Sequence, residues 1–410
     1  MSAQRRNTLP RAYDAVDIHE DATPRSVDCD IPRMLAAQEA RTGHRPTMLF
    51  TNIAEYPDRA VLGNPYPRAV MLAALGVTEH DWLTETSRRL TEPPTTRSQA
   101  VDGGPWREVA GSLGTLPIIK HRPGDAGRYI TAAVGVTRSA ASGTTNLGVY
   151  RVQLIGPDRG LIFFDPRTDA HANWLEATTS GRDLPIALFL GGDPTHMLVA
   201  ASRLPNTGND YDHAARLARR DILITGDPPA PLDAHYVIRG RVTAELATEG
   251  PFAEFKGYYV PARQSPTLIV DSVEAIDDAI YPTIVTGAES GVTLMALQNE
   301  YLMFEHLTGA GFHVGAVRYW PEARGEFVAT IDCTDDLIEV TAAALDFDKR
   351  AKIIVAGPDI CGHGLRDLWD RVASHGFQVV CAPYFRKGSL DGQRLGIALC
   401  HTPIGERVEY

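Results

Sequence analysis

The hydrophobic pattern divides the chain into stretches of different period. Over residues 31–90 both periods occur. Met34, Leu35 and Ala36 sit in a helix-like stretch, 46–51 reads as a strand, and 66–76 reads as a helix that stops on a glycine. Residues 93–115 are crowded with Pro, Gly, Ser and Thr and read as a linker. From Leu116 to Val270 short β-like runs alternate with turns, at 129–136, 147–155, 185–190 and 234–239, with helices inserted at 170–178 and 210–219. Short strands separated by Gly and Pro predict a barrel or sandwich. After a helix at 292–307, the tail alternates strand (326–333), helix (335–345), strand (352–356), helix (365–374) and strands (377–382 and 395–400). That βαβαβ order predicts a small α/β domain.

Composition narrows the partners. The 410 residues allow two or three domains with substantial cores. A net charge of -11 disfavours a general nucleic-acid or anionic-membrane partner. The five cysteines form no C-x-x-C pair, so no zinc signature is present and a reducing compartment is expected. With no apolar leader at the amino terminus and no apolar run approaching ~18 residues, the expected location is cytoplasmic. Gly357, Gly362 and Gly364 do not form a dinucleotide fingerprint.

Three polar-rich segments interrupt the middle β-pattern. The first is Lys120-His-Arg-Pro-Gly-Asp-Ala-Gly-Arg-Tyr-Ile-Thr131, a basic turn. The second is Thr144-Thr-Asn-Leu-Gly-Val-Tyr-Arg-Val-Gln153, which puts Arg151 in an apolar run in register with Val149 and Gln153. A buried arginine requires an anionic partner. The third, Thr248-Glu-Gly-Pro-Phe-Ala-Glu-Phe-Lys-Gly-Tyr-Tyr259, sets Glu249 and Glu254 on either side of a stiff Gly-Pro turn. Such a carboxylate pair can divide acid and base roles; it can equally be two solvated surface charges. Arg151 is open in the same way, between a structural salt bridge and a reactive centre.

In this order and spacing, the segments resemble the UbiD family of reversible decarboxylases. Leu62-Gly-Asn-Pro-Tyr66, Leu75-Gly76, 185–194, 200–205 and 210–214 add to the resemblance, which covers roughly 45–310. It implies an α/β (α+β) fold with five segments. These are an irregular arm (1–27), an α/β N-terminal domain with linker (28–115), a split β-barrel flavin-binding domain (116–290), a connecting helix (291–325) and an α/β domain for homodimerisation (326–410). The implied cofactor is prenylated FMN, made by a partner flavin prenyltransferase. The implied reaction is non-oxidative decarboxylation of an aromatic, heteroaromatic or α,β-unsaturated carboxylic acid. A non-catalytic or unmodified-FMN-binding protein that holds a carboxylate is the alternative.

The resemblance also assigns residues. Arg151, Glu249 and Glu254 match a Glu-Arg-Glu network, with Glu254 as proton donor and Glu249 as the anchor of Arg151. Ala201, Ser202 and Arg203 match a loop at the flavin phosphate. The family holds Mn2+ (or Mg2+) and K+ through an Asn, a His and a Glu. Asn146 matches the first, Asp210 stands for the Glu, and Asp169 occupies the histidine position with His171 two residues on. The odd spacing of Asn146 and Arg151 implies a turn at Asn146 or a bulge at Gly148. All-oxygen donors suit a hard cation better than zinc. Asp169 is equally suited to capping the helix at 170–178. Lys120, Arg122, Asp125 and Arg128 read either as a salt-bridged turn or as cofactor contacts, and His213 and His235 as structural.

Overall fold

In the computed structural model, which describes residues 5–109, 112–204, 208–254, 257–362, 364–386 and 389–403, the chain forms two units. One comprises Met1–Thr78 and Arg89–Gly291, the other Glu79–Arg88 and Val292–Tyr410.

In the first unit, His19–Asp21, Met48–Phe50, Ala60–Gly63 and Ile280–Thr283 form a four-stranded sheet in that order. Its last strand arrives from more than two hundred residues away and pairs in parallel with Ala60–Gly63. The segment read as an irregular arm therefore supplies a strand, paired in parallel with Met48–Phe50. It consists of His, Glu and Asp, so no apolar alternation marks it. Within the stretch read as a linker, Ser98–Ala100 pairs in parallel with Ile222–Thr225.

The larger sheet carries eight strands along its path: β1 (Tyr129–Ile130), β2 (Val134–Arg138), β3 (Thr145–Val149), β4 (Val152–Leu154), β5 (Arg159–Ile162), β6 (Leu184–Leu190), β7 (Tyr236–Glu249) and β8 (Arg263–Ala275). Their order is β1-β4-β5-β8-β7-β6-β2-β3, with Arg107–Glu108 added beside β8. All neighbours on the path are antiparallel. The sheet curls into a half-barrel, helped by register shifts in the β7–β8 pair at Arg239/Gly240 and between Val242 and Leu246. Ile130, Val152, Ile162, Ile186, Leu188, Ile238, Val242 and Leu268 share one buried core. Three helices flank it: α1 (Asp169–Thr179), α2 (Pro194–Ala201) and α3 (Asp210–Ala218).

The run 147–155, expected as one strand, is two strands broken at Tyr150 and Arg151. Glycine makes the break possible. A Cβ on Gly148 would lie 2.0 Å from the Tyr150 hydroxyl, and one on Gly135 would lie 2.5 Å from the same ring. The Tyr150 ring fills the space those two residues leave. Arg151 therefore stands at a strand break, not inside a strand as its register suggested, and Asn146 lies within β3 with neither a turn nor a bulge.

The basic turn at 120–128 is tied to the Gly-Pro turn. Asp125 accepts from the backbone N–H of Arg122 (2.8 Å) and of Ala253 (3.0 Å), and Ala126 N–H donates to Pro251 (2.9 Å). Phe252 packs on Tyr129 at 4.2 Å and meets the edge of His121 at 5.9 Å. His121 is fully enclosed, and burial lowers its pKa from 6.5 to about 4.

In the second unit a five-stranded sheet runs Val314–Tyr319, Val328–Cys333, Ile353–Gly357, Ser389–Pro403, His375–Arg386, with helices Leu337–Phe347 and Leu365–Ser374. The expected alternation holds from 326 onward. Its last two strands form a longer antiparallel pair than the pattern showed. No helix among the described residues is long and apolar enough to cross a membrane.

Two predictions follow from this packing. A Cβ on Gly240 would sit 2.2 Å from the Ile269 carbonyl oxygen, whereas Gly309 has nothing within 4 Å. Gly240→Ala should cost about 1–3 kcal/mol, seen as a lower melting midpoint, while Gly309→Ala leaves the midpoint near wild type. For His121, the unfolded chain binds a proton near pH 6.5 and the folded one only near 4. The unfolded state thus holds more protons between those values, and stability falls as pH drops through the window, by on the order of 3 kcal/mol. Replacing His121→Gln should flatten that limb of the stability-pH curve; an unchanged slope between pH 6.5 and 4 would contradict the assignment.

Candidate active site

Arg151 and Glu249 meet because β4 and β7 deliver them to one end of the half-barrel. Arg151 immediately precedes β4, and Glu249 ends β7. The guanidinium grips the carboxylate with two bonds, Nε to Oε1 at 2.9 Å and Nη2 to Oε2 at 3.0 Å. Glu249 is 1% exposed and Arg151 16%. Side-on and bidentate, this is the geometry in which an arginine-carboxylate pair is strongest. Gln153 fixes the approach of the following turn, its Oε1 accepting from the Tyr129 hydroxyl (3.0 Å) and from Gly250 N–H (2.9 Å). Burial, with the negative charge of Glu249 adding, pushes the Tyr129 phenol up. Phe163 and Phe252 lie 5.4 and 5.2 Å from the Arg151 guanidinium carbon, a cation–π contact with each ring.

Glu254 stands on the turn five residues further on. Its backbone N–H donates to Tyr258 (2.9 Å) and its carbonyl accepts from Gly257 (3.0 Å). Its half-buried carboxylate has no hydrogen bond or ion pair to a described residue. The structure thus joins two of the three acidic and basic residues that the sequence singled out, and leaves the third on the adjoining turn. Phe255 and Lys256 of that turn lie outside the described residues, as does Pro205 of the 200–205 segment.

Sequence reasoning missed Arg263. It opens β8 directly opposite Glu249 in the ladder, with its Nε 4.0 Å from Glu249 Oε2 and its guanidinium 4.2 Å over Phe163. Ser265, two residues on, donates to the same Oε2 at 3.5 Å. The alternation along β8 could have shown both, since residues two apart share a strand face.

A second polar centre lies in a cavity of about 250 Å3, lined by Asn146, Asp169 and Asp210 together with Glu176, Asn173 and hydroxyl groups from the β2–β3 loop. Asp210 Oδ2 accepts from Leu147 N–H (2.7 Å) and from Asn146 Nδ2 (3.3 Å). Burial raises Asp210 to about 6, the charge of Asp169 adding to the rise. Tyr150 donates to Asn146 Oδ1 at 3.4 Å. Thr168, not Asp169, caps α1, its hydroxyl accepting from His171 N–H; Asp169 follows in the first turn and faces the cavity. His171 does not line it, and its ring lies against Trp174 at 5.7 Å.

Among the described residues that line this cavity there is no lysine, arginine or histidine. Among the described residues no group of three His, Cys, Asp or Glu side chains has metal-binding geometry. Two carboxylates and an amide make up the donor set, chemistry that fits a hard divalent cation with water or ligand oxygens completing the shell.

Other expected contacts lie elsewhere. Ala201 ends α2 and Ser202 caps it, while Arg203 is exposed and adds its charge to that of Arg167 in holding Asp165 down at about 2. Arg128 donates to the Tyr56 hydroxyl (3.1 Å) and Arg122 to the Thr286 carbonyl (3.3 Å). His235 accepts from Ile280 N–H through Nδ1 (3.1 Å) and donates to the Thr8 carbonyl through Nε2 (3.0 Å).

Comparison with known proteins bears on this arrangement. Residues 97–289 match the family model "UbiD: 3-octaprenyl-4-hydroxybenzoate carboxy-lyase Rift-related domain". Anhydromevalonate phosphate decarboxylase of Archaeoglobus fulgidus is 28% identical over 234 residues, 57% of this chain and 54% of that protein. Phenolic acid decarboxylase of a Streptomyces species is 28% identical over 277 residues, 62% of this chain and 58% of that protein. The chain thus spans little more than half the length of these relatives. In fold, it resembles the UbiD-class enzyme HmfF from Pelotomaculum thermopropionicum in an evolved dimeric form with prFMN. That match has a TM-score of 0.86 at 23% identity and covers 99% of this chain and 96% of the other. The apo 3,4-dihydroxybenzoic acid decarboxylase AroY of Klebsiella pneumoniae gives 0.85 at 19% identity, covering 100% and 96%. Residues 97–289, the stretch that matches the UbiD family domain, hold every residue of both polar centres.

Proposed function

We propose that this protein is a reversible, non-oxidative decarboxylase of an aromatic, heteroaromatic or α,β-unsaturated carboxylic acid, with prenylated FMN and a divalent cation as cofactors. The observation that carries the reading is the enclosed bidentate pair of Arg151 and Glu249, with the half-buried carboxylate of Glu254, which pairs with no described residue, on the adjoining turn. A purely structural ion pair would not require a third acid on the adjoining turn.

In this reading Arg151 receives the substrate carboxylate, its planar fork matching the carboxylate plane. Phe163 and Phe252 hold the guanidinium flat and shed water from the reacting side. Glu254, when protonated, delivers a proton to the carbon that loses CO2, and in the carboxylation direction takes it back. Glu249 keeps Arg151 oriented. Asn146, Asp169 and Asp210 would hold the cation, which in turn would bind the cofactor phosphate. When bound, prenylated FMN supplies the electron sink for the bond that breaks.

Relatives that act on a phenolic acid and on anhydromevalonate phosphate support an unsaturated acid as substrate. The proposed partners are a flavin prenyltransferase that supplies the cofactor and a second copy of this chain. Potassium is proposed beside the divalent ion. The free thiols of Cys29, Cys333, Cys361 and Cys381 support a cytoplasmic setting.

Two variants test the roles. Glu254→Gln, in protein co-expressed with a flavin prenyltransferase, should retain the flavin absorption spectrum and lose CO2 release from an acid panel by about 10²-fold or more. Normal release would remove Glu254 from the reaction. Asp169→Ala should lower manganese content, measured by plasma mass spectrometry, together with flavin occupancy. Unchanged metal and flavin would return the cavity to a structural role and favour an unmodified-FMN or non-catalytic protein.

A further inference from the structure

Arg151 cannot simply turn from Glu249 to a ligand. Glu249 is 1% exposed, and without Arg151 its remaining polar neighbours among the described residues would be the Tyr129 phenol, the Ser265 hydroxyl at 3.5 Å and, as the cation, Arg263 at 4.0 Å. A carboxylate left unpaired in that position is strongly disfavoured. Arg151 has also committed both Nε and Nη2 to Glu249, which leaves one nitrogen for anything else. Some other cation must cover Glu249 whenever the Arg151 fork is given away.

Arg263 is placed to do so. It faces Glu249 across the β7–β8 ladder, so its reach is fixed by the sheet rather than by a loop. Its guanidinium donates no hydrogen bond to a described residue. The same Phe163 ring carries both arginines, 4.2 Å from Arg263 and 5.4 Å from Arg151. Both guanidiniums thus keep a cation–π partner in the same ring while their hydrogen bonds are exchanged.

We propose that Arg263 is a positioning residue that takes over Glu249 when Arg151 turns its fork to an incoming aromatic carboxylate. The inference rests on the reading of Arg151 as the carboxylate receptor. Two arginines against one buried glutamate leave a net positive charge for the ligand's carboxylate, and the hand-over keeps Glu249 paired at every stage. Specificity for planar acids comes from Phe163 and Phe252, the two rings beside the Arg151 guanidinium.

The test uses the full-length chain and sodium benzoate as the probe, by calorimetry and by crystal structures with and without benzoate. Wild type should bind benzoate saturably at millimolar concentration. In the bound structure Arg151 should contact benzoate, and an Arg263 nitrogen should come within hydrogen-bond distance of Glu249. Arg263→Gln should weaken binding about tenfold or more, and Arg263→Lys, which keeps the charge, should restore most of it. The inference fails if wild type does not bind benzoate, if Arg151 stays bidentate on Glu249 with Arg263 unmoved in the bound crystal, or if Arg263→Gln binds as wild type does. Should Arg263→Gln not fold, the lysine variant and the wild-type crystal still decide it. Turnover enters none of these readouts. A chain that shows the hand-over yet releases CO2 from no acid keeps this inference and loses the decarboxylase reading. One that releases CO2 with Arg151 fixed on Glu249 does the opposite.

Discussion

An enclosed carboxylate held by one arginine sets the terms for the rest of the half-barrel. Glu249 and Arg151 have surrendered most of their water, and their mutual attraction offsets that loss only while the geometry stays close to two parallel bonds. The surroundings supply that constancy. Gln153 locks Gly250 behind the carboxylate, Asp125 ties the Gly-Pro turn to the basic turn, and aromatic rings seat the guanidinium. Replacing the pair with apolar side chains would satisfy packing at lower electrostatic cost. Its presence points to chemistry.

The second constraint is repulsion. Asp169 and Asp210 face one cavity, and burial together with the charge of Asp169 raises the pKa of Asp210 to about 6, a record of how poorly that site tolerates its charge. A bound divalent ion would reverse the sign of that electrostatic cost. One short stretch serves both centres: Asn146 in β3 faces the carboxylates, and Arg151 follows at the break before β4. Gly148 and Gly135, by admitting the Tyr150 ring, create the break that lets adjacent residues serve different sites.

Much of this was legible in the sequence. The β-rich middle, the inserted helices and the alternating tail follow from periods of apolar residues, and the motif order pointed to Arg151, Glu249 and Glu254. Three features escaped for distinct reasons. His19–Asp21 is a strand made wholly of polar residues, stabilised by its neighbour and not by its own pattern. The break at Tyr150 depends on two glycines in different strands, a relation that only the folded sheet reveals. Arg263 acquires meaning from its ladder position opposite Glu249, fourteen residues away in sequence across a turn. Asp169 was readable as a helix cap, but Thr168 performs that task and the aspartate lines the cavity.

The central claim is that the Arg151–Glu249 pair exists for chemistry and not for stability. Its most direct test is the melting midpoint of the Arg151→Met, Glu249→Leu double variant beside the two single variants. Each single change leaves one charge enclosed and should destabilise the protein by roughly 3–5 kcal/mol. The account predicts that the double variant recovers to the wild-type midpoint or above it. A double variant as unstable as the singles would show that the pair is a structural staple and contradict the account.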